Sequence, residues 1–150
     1  MITLAYRLSP LPADRAERDL VSASESELRY SLFLGDVVFR VGDADFGANW
    51  GWVPVLDFAL GLEHAVGESL HGKEEAEFEF TESDSAIRFE RDEEDVFVSA
   101  SYAPIRTLVD LEELIKAVRS FGMRVLDDVS SIHPQLRMNV TMRNLMGETL

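Results

Sequence analysis

Three potential metal ligands stand at helical spacing near the middle of the chain. His64, Glu68 and His71 occupy positions i, i+4 and i+7, so an α-helix would present them on one face. Imidazole and carboxylate groups are common zinc ligands. No fourth ligand or general base accompanies them, and the opposite, apolar side of this segment is the one expected to be buried, so the alternative is an ordinary solvated helix surface. We therefore predict no cofactor and keep the triplet as an alternative hypothesis.

A second constellation is a run of carboxylates. Residues 68–95 contain twelve acidic and three basic residues, which accounts for nine of the fourteen net negative charges of the chain. Like charges that face each other across strands cost stability. Charged turns and edges also keep a sheet from pairing with other chains, so solubility is one explanation and a landing surface for a basic protein is the other. The predicted partner-binding carboxylates are Glu77, Glu79, Glu82, Asp84, Glu90, Asp92, Glu93 and Glu94.

Aromatic residues could supply the desolvated contacts that charge alone does not provide. Trp50 and Trp52 flank Gly51 just before a predicted helix, and Phe97 falls on the same predicted strand face as the carboxylates. Tryptophan is enriched at binding hot spots, but aromatic residues beside a helix start are also typical core residues. The sequence leaves both roles open for the two tryptophans.

The overall composition excludes several classes of function. A net charge of −14 makes binding to nucleic acid or to an anionic membrane unfavourable. The absence of cysteine removes disulfides, thiolate metal sites and thiol nucleophiles. No apolar run has the length of a signal peptide or a membrane span, so the expected location is the cytoplasm. The length of 150 residues predicts a single domain over residues 1–150.

The first third of the chain predicts three strands. Residues 2–8 alternate between apolar and polar side chains, as in a half-buried strand, and residues 9–27 are interpreted as a connection. Residues 28–42 predict a hairpin that turns at Gly35 and Asp36. In that register Phe33 and Val38 are apolar residues on the outer face, covered by the connection or by a partner.

The middle of the chain predicts a helix followed by three strands. Pro54 suits a first helical turn, and an apolar stripe continues to about Gly72. Residues 73–102 then alternate as three strands. The expected cross-strand rows are Phe78, Phe89 and Val98, then Phe80, Ile87 and Ala100, with Glu77 beside Glu90 and Phe97 and with Glu79 beside Arg88 and Ser99 on the other face.

The last third predicts one helix and one strand. Thr107 or Asp110 can cap the helix, with Glu113 placed as in a capping box. Gly122 either ends this helix or lies inside a longer one that runs to about Ser131. Residues 136–143 alternate and predict a final strand.

These elements together predict an α+β fold, in which a single antiparallel sheet of about six or seven strands, in the order β-β-β-α-β-β-β-α-β, carries two helices on one face. The favoured function is a non-enzymatic protein-binding protein, an immunity or antitoxin-like inhibitor of a basic partner such as a nuclease toxin. The alternatives are a small metal-dependent or ligand-binding enzyme that uses the helical triplet, and a structural subunit of a bacterial complex. The sequence leaves the oligomeric state open.

Overall fold

The structure is a computed structural model that describes residues 1–10, 20–81 and 83–147. The strands are β1 (Ile2–Leu8), β2 (Leu34–Val41), β3 (Ala44–Asp45), β4 (Ala48–Pro54), β5 (Glu75–Glu79), β6 (Ala86–Asp92), β7 (Asp95–Ala100) and β8 (Ala103–Asp110). The helices are α1 (residues 25–32), α2 (residues 55–72), α3 (Leu111–Ile132) and α4 (Val140–Leu145). Single 3-10 turns lie at Leu20–Ser22 and Pro134–Met138.

The strands form two antiparallel sheets of four strands each, so the predicted α+β class is confirmed and the predicted single sheet is wrong. In the first sheet β2 pairs with β1 along its whole length, and β3 and β4 share its other side. The second sheet is the meander β5-β6-β7-β8. β5 starts this second sheet after α2 instead of extending the first one.

The predicted strand over residues 2–8 is confirmed, but the predicted hairpin over residues 28–42 is wrong in its first arm. Gly35 and Asp36 lie inside β2, opposite Leu8 and Arg7, and form no turn. A Cβ at Gly35 would lie 1.9 Å from the carbonyl oxygen of Arg7. Glycine is therefore required there by the close approach of two strands.

Residues 28–32 belong to α1, which begins with a capping box. Ser24 accepts the backbone N–H of Glu27, and the Glu27 carboxylate accepts the backbone N–H of Ser24. Phe33, which follows α1, is only 2% exposed and packs against His133. The chain itself therefore covers Phe33, and this residue offers no subunit interface. Residues 11–19 of the connection predicted over residues 9–27 lie outside the described ranges, and residues 25–27 belong to α1.

Helix α2 begins at Val55, one residue after Pro54, and ends at Gly72 as predicted. Its central turns, His64–Ser69, are π-helical, with the wider i→i+5 hydrogen bonding of that form. Phe58 packs edge-on against Phe78, stacks on Phe80 and meets Phe121 of α3. Helix α2 therefore packs directly on the second sheet.

Helix α3 is capped by Asp110, whose carboxylate accepts the Glu113 N–H at 3.0 Å, as predicted. It runs through Gly122 to Ile132, which matches the longer of the two predicted helices. It packs on α2 and on β1, where Tyr6 donates a 2.6 Å hydrogen bond to Asp128.

The predicted final strand over residues 136–143 is wrong. A 3-10 turn and α4 occupy this segment, and Asn139 caps α4 by accepting the Met142 N–H. Leu136 and Met142 are buried, whereas Met138 and Val140 are exposed. The apolar alternation in the sequence therefore does not correspond to one buried face.

Candidate functional site

The second sheet has one buried face and one face in solvent. The buried face carries Phe78, Phe80, Ile87, Phe89, Val96, Val98 and Val109. Period-two alternation sends the neighbouring residues of each strand to the opposite side. We call that side the outer face; it comprises Glu75, Glu77, Glu79, Arg88, Glu90, Asp92, Asp95, Phe97, Ser99, Arg106, Leu108 and Asp110. With seven carboxylates and two guanidinium groups, the outer face has a formal charge of −5.

The cross-strand partners on the outer face differ from those predicted. Strand β5 is shifted by two residues against β6, so Glu75 rather than Glu77 lies opposite Glu90, and Glu77 rather than Glu79 lies opposite Arg88. On the buried face Phe78 therefore lies opposite Ile87 instead of Phe89. The β6–β7 register is as predicted, with Phe89 opposite Val98 and Ile87 opposite Ala100. A shift of two residues keeps every side chain on its predicted face.

Two arginines neutralise the centre of the outer face. Arg88 lies 3.1 Å from Glu75 and 3.8 Å from Glu90, and Arg106 lies 3.6 Å from Glu90. The hydrogen bond to Glu75 is the main reason that the pKa of Arg88 is raised. The cost of placing Glu75 opposite Glu90 is thus offset by a guanidinium between them.

The outer face also has an apolar row. Phe97 lies opposite Glu90 on one side and Leu108 on the other, and 47% of Leu108 is exposed. The guanidinium of Arg106 lies 3.7 Å from the centre of the Phe97 ring, within cation–π distance. The sequence predicted Phe97 as a contact residue but missed Leu108 and Arg106, because residues 103–110 were not recognised as a strand.

The remaining predicted carboxylates lie at the two ends of the second sheet. Asp92, Glu93 and Glu94 lie at the β6–β7 turn, where Glu93 adopts a positive φ of 59°. Asp84 is exposed in the β5–β6 turn, and seven residues of β6 separate the two turns by about 20 Å. Within the described ranges, Asp84, Asp92, Glu93, Glu94 and Glu79 form no salt bridge. Glu82 lies outside the described residues.

The two tryptophans are not on the outer face. Trp50 and Trp52 stack with their ring centres 5.0 Å apart in β4 of the first sheet. Trp50 is half-buried and contacts Phe80 and Tyr102 of the second sheet, whereas 40% of Trp52 is exposed. Trp50 therefore joins the two sheets, and the predicted grouping of these tryptophans with the acidic surface does not occur.

The helical triplet does not assemble into a metal site. Nδ1 of His64 lies 3.1 Å from the Glu68 carboxylate, and both side chains are exposed. The intervening π-helical turns change the angular spacing, and His71 lines a different depression beside Arg91. In the described part of the chain, no three His, Asp or Glu residues are grouped so that they could hold a metal ion.

A buried ion pair was not anticipated from the sequence. Asp57 in the first turn of α2 accepts hydrogen bonds from Nε and Nη2 of Arg29 at 3.0 and 2.8 Å, and its other oxygen is 3.3 Å from the Thr81 hydroxyl. Asp57 is buried and Arg29 is mostly so. The pair connects α1 to α2 and to the end of β5, and it is fully engaged within the protein.

Comparison with protein-family models, curated proteins and solved structures gives no match. Within the described residues, no helix is both long enough and apolar enough to span a membrane. The surface chemistry of this chain is therefore the basis for a functional proposal.

Proposed function

We propose that this chain is a non-enzymatic protein-binding protein, an immunity or antitoxin-like inhibitor that binds a basic partner such as a nuclease toxin through the outer face of the second sheet. The observation that carries the proposal is the arrangement of apolar and charged residues on that face. A four-stranded sheet has a half-exposed apolar row at Phe97 and Leu108, and carboxylates on every strand surround this row.

The apolar row supplies the contact that excludes water. Protein interfaces commonly have an apolar centre and a polar rim, and truncation of a few central residues causes most of the loss in affinity. Leu108 offers exposed apolar surface, and Phe97 lies beside it under the guanidinium of Arg106. A partner that displaced or extended this stacked guanidinium would bury both apolar side chains.

The carboxylates act mainly on the rate of association. Glu75 and Glu90 lie within ion-pair distance of arginines, so part of their charge is already neutralised within the protein. Glu79, Asp92, Glu93 and Glu94 have no such internal counter-charge among the described residues. Their field would attract a basic protein and increase its association rate most at low ionic strength.

Charge reversal on the outer face tests this proposal. The chain with Glu79→Lys and Asp92→Lys should capture less basic protein from a native lysate than the unchanged chain. The matched control carries Glu68→Lys and Asp127→Lys, which cause the same change in net charge on exposed residues of α2 and α3. We expect the control to retain binding at low salt, because its substitutions lie off the outer face.

Quantitative mass spectrometry of the captured proteins at low and high salt provides the readout. Binding that depends on the outer face should be weakened by salt and by the outer-face reversal, but little by the control reversal. Equal capture by the two reversed variants would rule out the outer face as the binding surface. Capture of acidic proteins only would rule out a basic partner.

A further inference from the structure

The edge of β8 borders a cleft of about 580 Å³. Among the strands that the structure describes, β8 is the last of the second sheet and pairs only with β7. Six consecutive residues, 105–110, line the cleft, and the opposite wall includes Val41, Asp43 and Ala44 from the β2–β3 connection. One face of a strand would contribute every second residue, so a run of consecutive residues means that the backbone edge itself faces the cleft.

The hydrogen-bond pattern identifies which backbone groups point into the cleft. The Leu111 N–H donates to the Glu94 carbonyl at 2.9 Å, so Asp95 and Asp110 form a non-hydrogen-bonded pair. Such pairs alternate with hydrogen-bonded ones along an antiparallel ladder. Leu108 and Arg106, two and four residues back, therefore direct their N–H and C=O groups away from β7. No other backbone group within the described ranges bonds to these four groups.

The edge of β8 is only partly protected against pairing, because Pro104, Arg106 and Asp110 are exposed on this strand and β3 contacts it. Natural sheets cover such edges or place charges on them to prevent pairing with other chains. The opposite edge, β5, carries three exposed glutamates at alternate positions. β8 instead shows 37% of Ile105 and 47% of Leu108 to solvent. Exposed apolar residues beside free backbone donors and acceptors are the features of a strand that accepts another strand.

We infer that the edge of β8 binds an extended segment of the basic partner, which would pair with β8 as a fifth strand of the second sheet. This inference rests on the proposed function. Asp43, Asp110 and Glu113 line the cleft together with Arg106, and the adjoining outer face carries a formal charge of −5, so the net negative charge favours a cationic segment. A second copy of this chain, with a net charge of −14, would be repelled.

The geometry also specifies the sequence pattern of the bound segment. Alternate side chains of an added strand point to the two faces of the sheet. Those on the inner side would meet Val41 and Ala44 and should be apolar. Those on the outer side would extend the outer face beside Leu108 and Asp110 and should be basic. The segment is therefore an alternation of apolar and basic residues.

Amide hydrogen exchange tests this inference directly. The probe is an eight-residue capped peptide in which valine alternates with arginine, and the control peptide has glutamate in place of arginine. The arginine peptide should slow exchange at the amides of Arg106 and Leu108. The amides of Thr107 and Val109, which bond to β7, should be protected with or without it. Protection of all four amides without peptide, increasing with protein concentration, would instead show self-association and overturn the inference.

Two further measurements separate edge pairing from simple charge attraction. Two peptides, N-methylated at the odd or at the even residues, each lose the donors on one edge only. The peptide that loses the donors facing β8 should bind the unchanged protein at least about fivefold more weakly than the other. Leu108→Pro removes one cleft-facing N–H and no bond to β7, which an edge strand tolerates, and it should weaken binding more than Leu108→Ala, which removes only the apolar side chain. Equal affinity for both methylated peptides would overturn edge pairing, and the charge-reversal experiment would still decide the proposed function independently.

Discussion

Replacing Gly61 with alanine tests how closely α2 packs on the second sheet. Gly61 lies in the α-helical part of α2, and a Cβ built there would lie 2.5 and 2.6 Å from two carbon atoms of the Phe78 ring. Favourable carbon contacts are about 3.5–4.0 Å long. The Phe78 ring cannot easily turn away, because Phe58 and Phe80 both pack edge-on against it.

Two opposing effects decide whether Gly61→Ala raises or lowers the free energy of unfolding. Alanine is favoured over glycine inside a helix by about 1 kcal/mol. Overpacking a filled core costs about 1–3 kcal/mol, and an overlap of about 1 Å with an aromatic ring belongs at the upper end of that range. We therefore expect Gly61→Ala to lower the free energy of unfolding by about 1–2 kcal/mol.

Urea denaturation followed by circular dichroism measures this change. Gly67→Ala is the matched control, because the nearest atom to its added Cβ would be an Arg119 nitrogen at 4.0 Å. This substitution should be neutral or stabilising by up to about 1 kcal/mol. Phe78→Leu should reduce the penalty of Gly61→Ala if the ring is the obstacle. Equal stabilisation of both alanine variants would contradict the predicted clash with Phe78.

Three other substitutions test contacts that position the elements. Asp57→Asn should cost about 2 kcal/mol in urea denaturation, because it leaves the Arg29 guanidinium without its counter-charge in a mostly buried site; an unchanged midpoint would contradict this. Asn139→Ala should cost about 2–3 kcal/mol, because the buried amide donates to two backbone carbonyls and its oxygen caps α4; an effect below about 0.5 kcal/mol would show that water replaces it. Burial raises the pKa of Glu63 above its ordinary 4.5, with Arg119 partly opposing the shift, so this carboxylate destabilises the fold increasingly as pH rises from 4.5 through the raised value. Glu63→Gln should therefore increase stability at neutral pH and lose this advantage below about pH 4.5, and a constant difference across that range would refute the assignment.

The elements that the sequence predicted correctly have one clear periodicity and recognisable ends. β1 alternates without interruption, and α2 has an apolar stripe between Pro54 and Gly72. The cap of α3 at Asp110 was visible as an acidic residue three positions before Glu113. In such segments local propensity and burial favour the same structure.

The first misassigned segment has a spacing that suits both a helix and a strand. Leu28 and Leu32 are four residues apart, which places them on one side of either element. The sequence feature that distinguishes the helix from a strand is the pair of Ser24 and Glu27, which has the spacing of a capping box. Its place before an apolar run favoured the helix, but the turn-like Gly35 and Asp36 suggested a hairpin.

The C-terminal misassignment has a similar cause. The alternating apolar residues of 136–143 favoured a strand, yet only Leu136 and Met142 are buried. Asn139 is also a good N-cap residue, and its side chain does cap α4. A buried residue at each end of the segment satisfies the core without an apolar face between them, which periodicity alone cannot reveal.

The division into two sheets could not be derived from local sequence. Which strands pair depends on contacts between distant residues, such as Leu8 with Gly35 and Leu34 with Pro54. Short runs such as β3 are too brief to show a period, so the sequence of residues 42–52 indicated neither β3 nor β4 as a strand. The second neighbour of β2 is β4 rather than residues 28–32, and the meander forms a separate sheet.

The outer face shows which functional predictions stay valid when the register of one strand, β5, is predicted wrongly. A slip of two residues in β5 left Glu75, Glu77 and Glu79 on one face, because face membership depends only on whether the shift is even. The same slip changed which of these carboxylates reaches Arg88, since a 3.1 Å contact depends on the exact pairing. Sequence could thus predict the acidic surface but not its neutralised centre. Tests of the proposed function should accordingly change Glu79 and Asp92, whose charges are uncompensated among the described residues, before those that an arginine already holds.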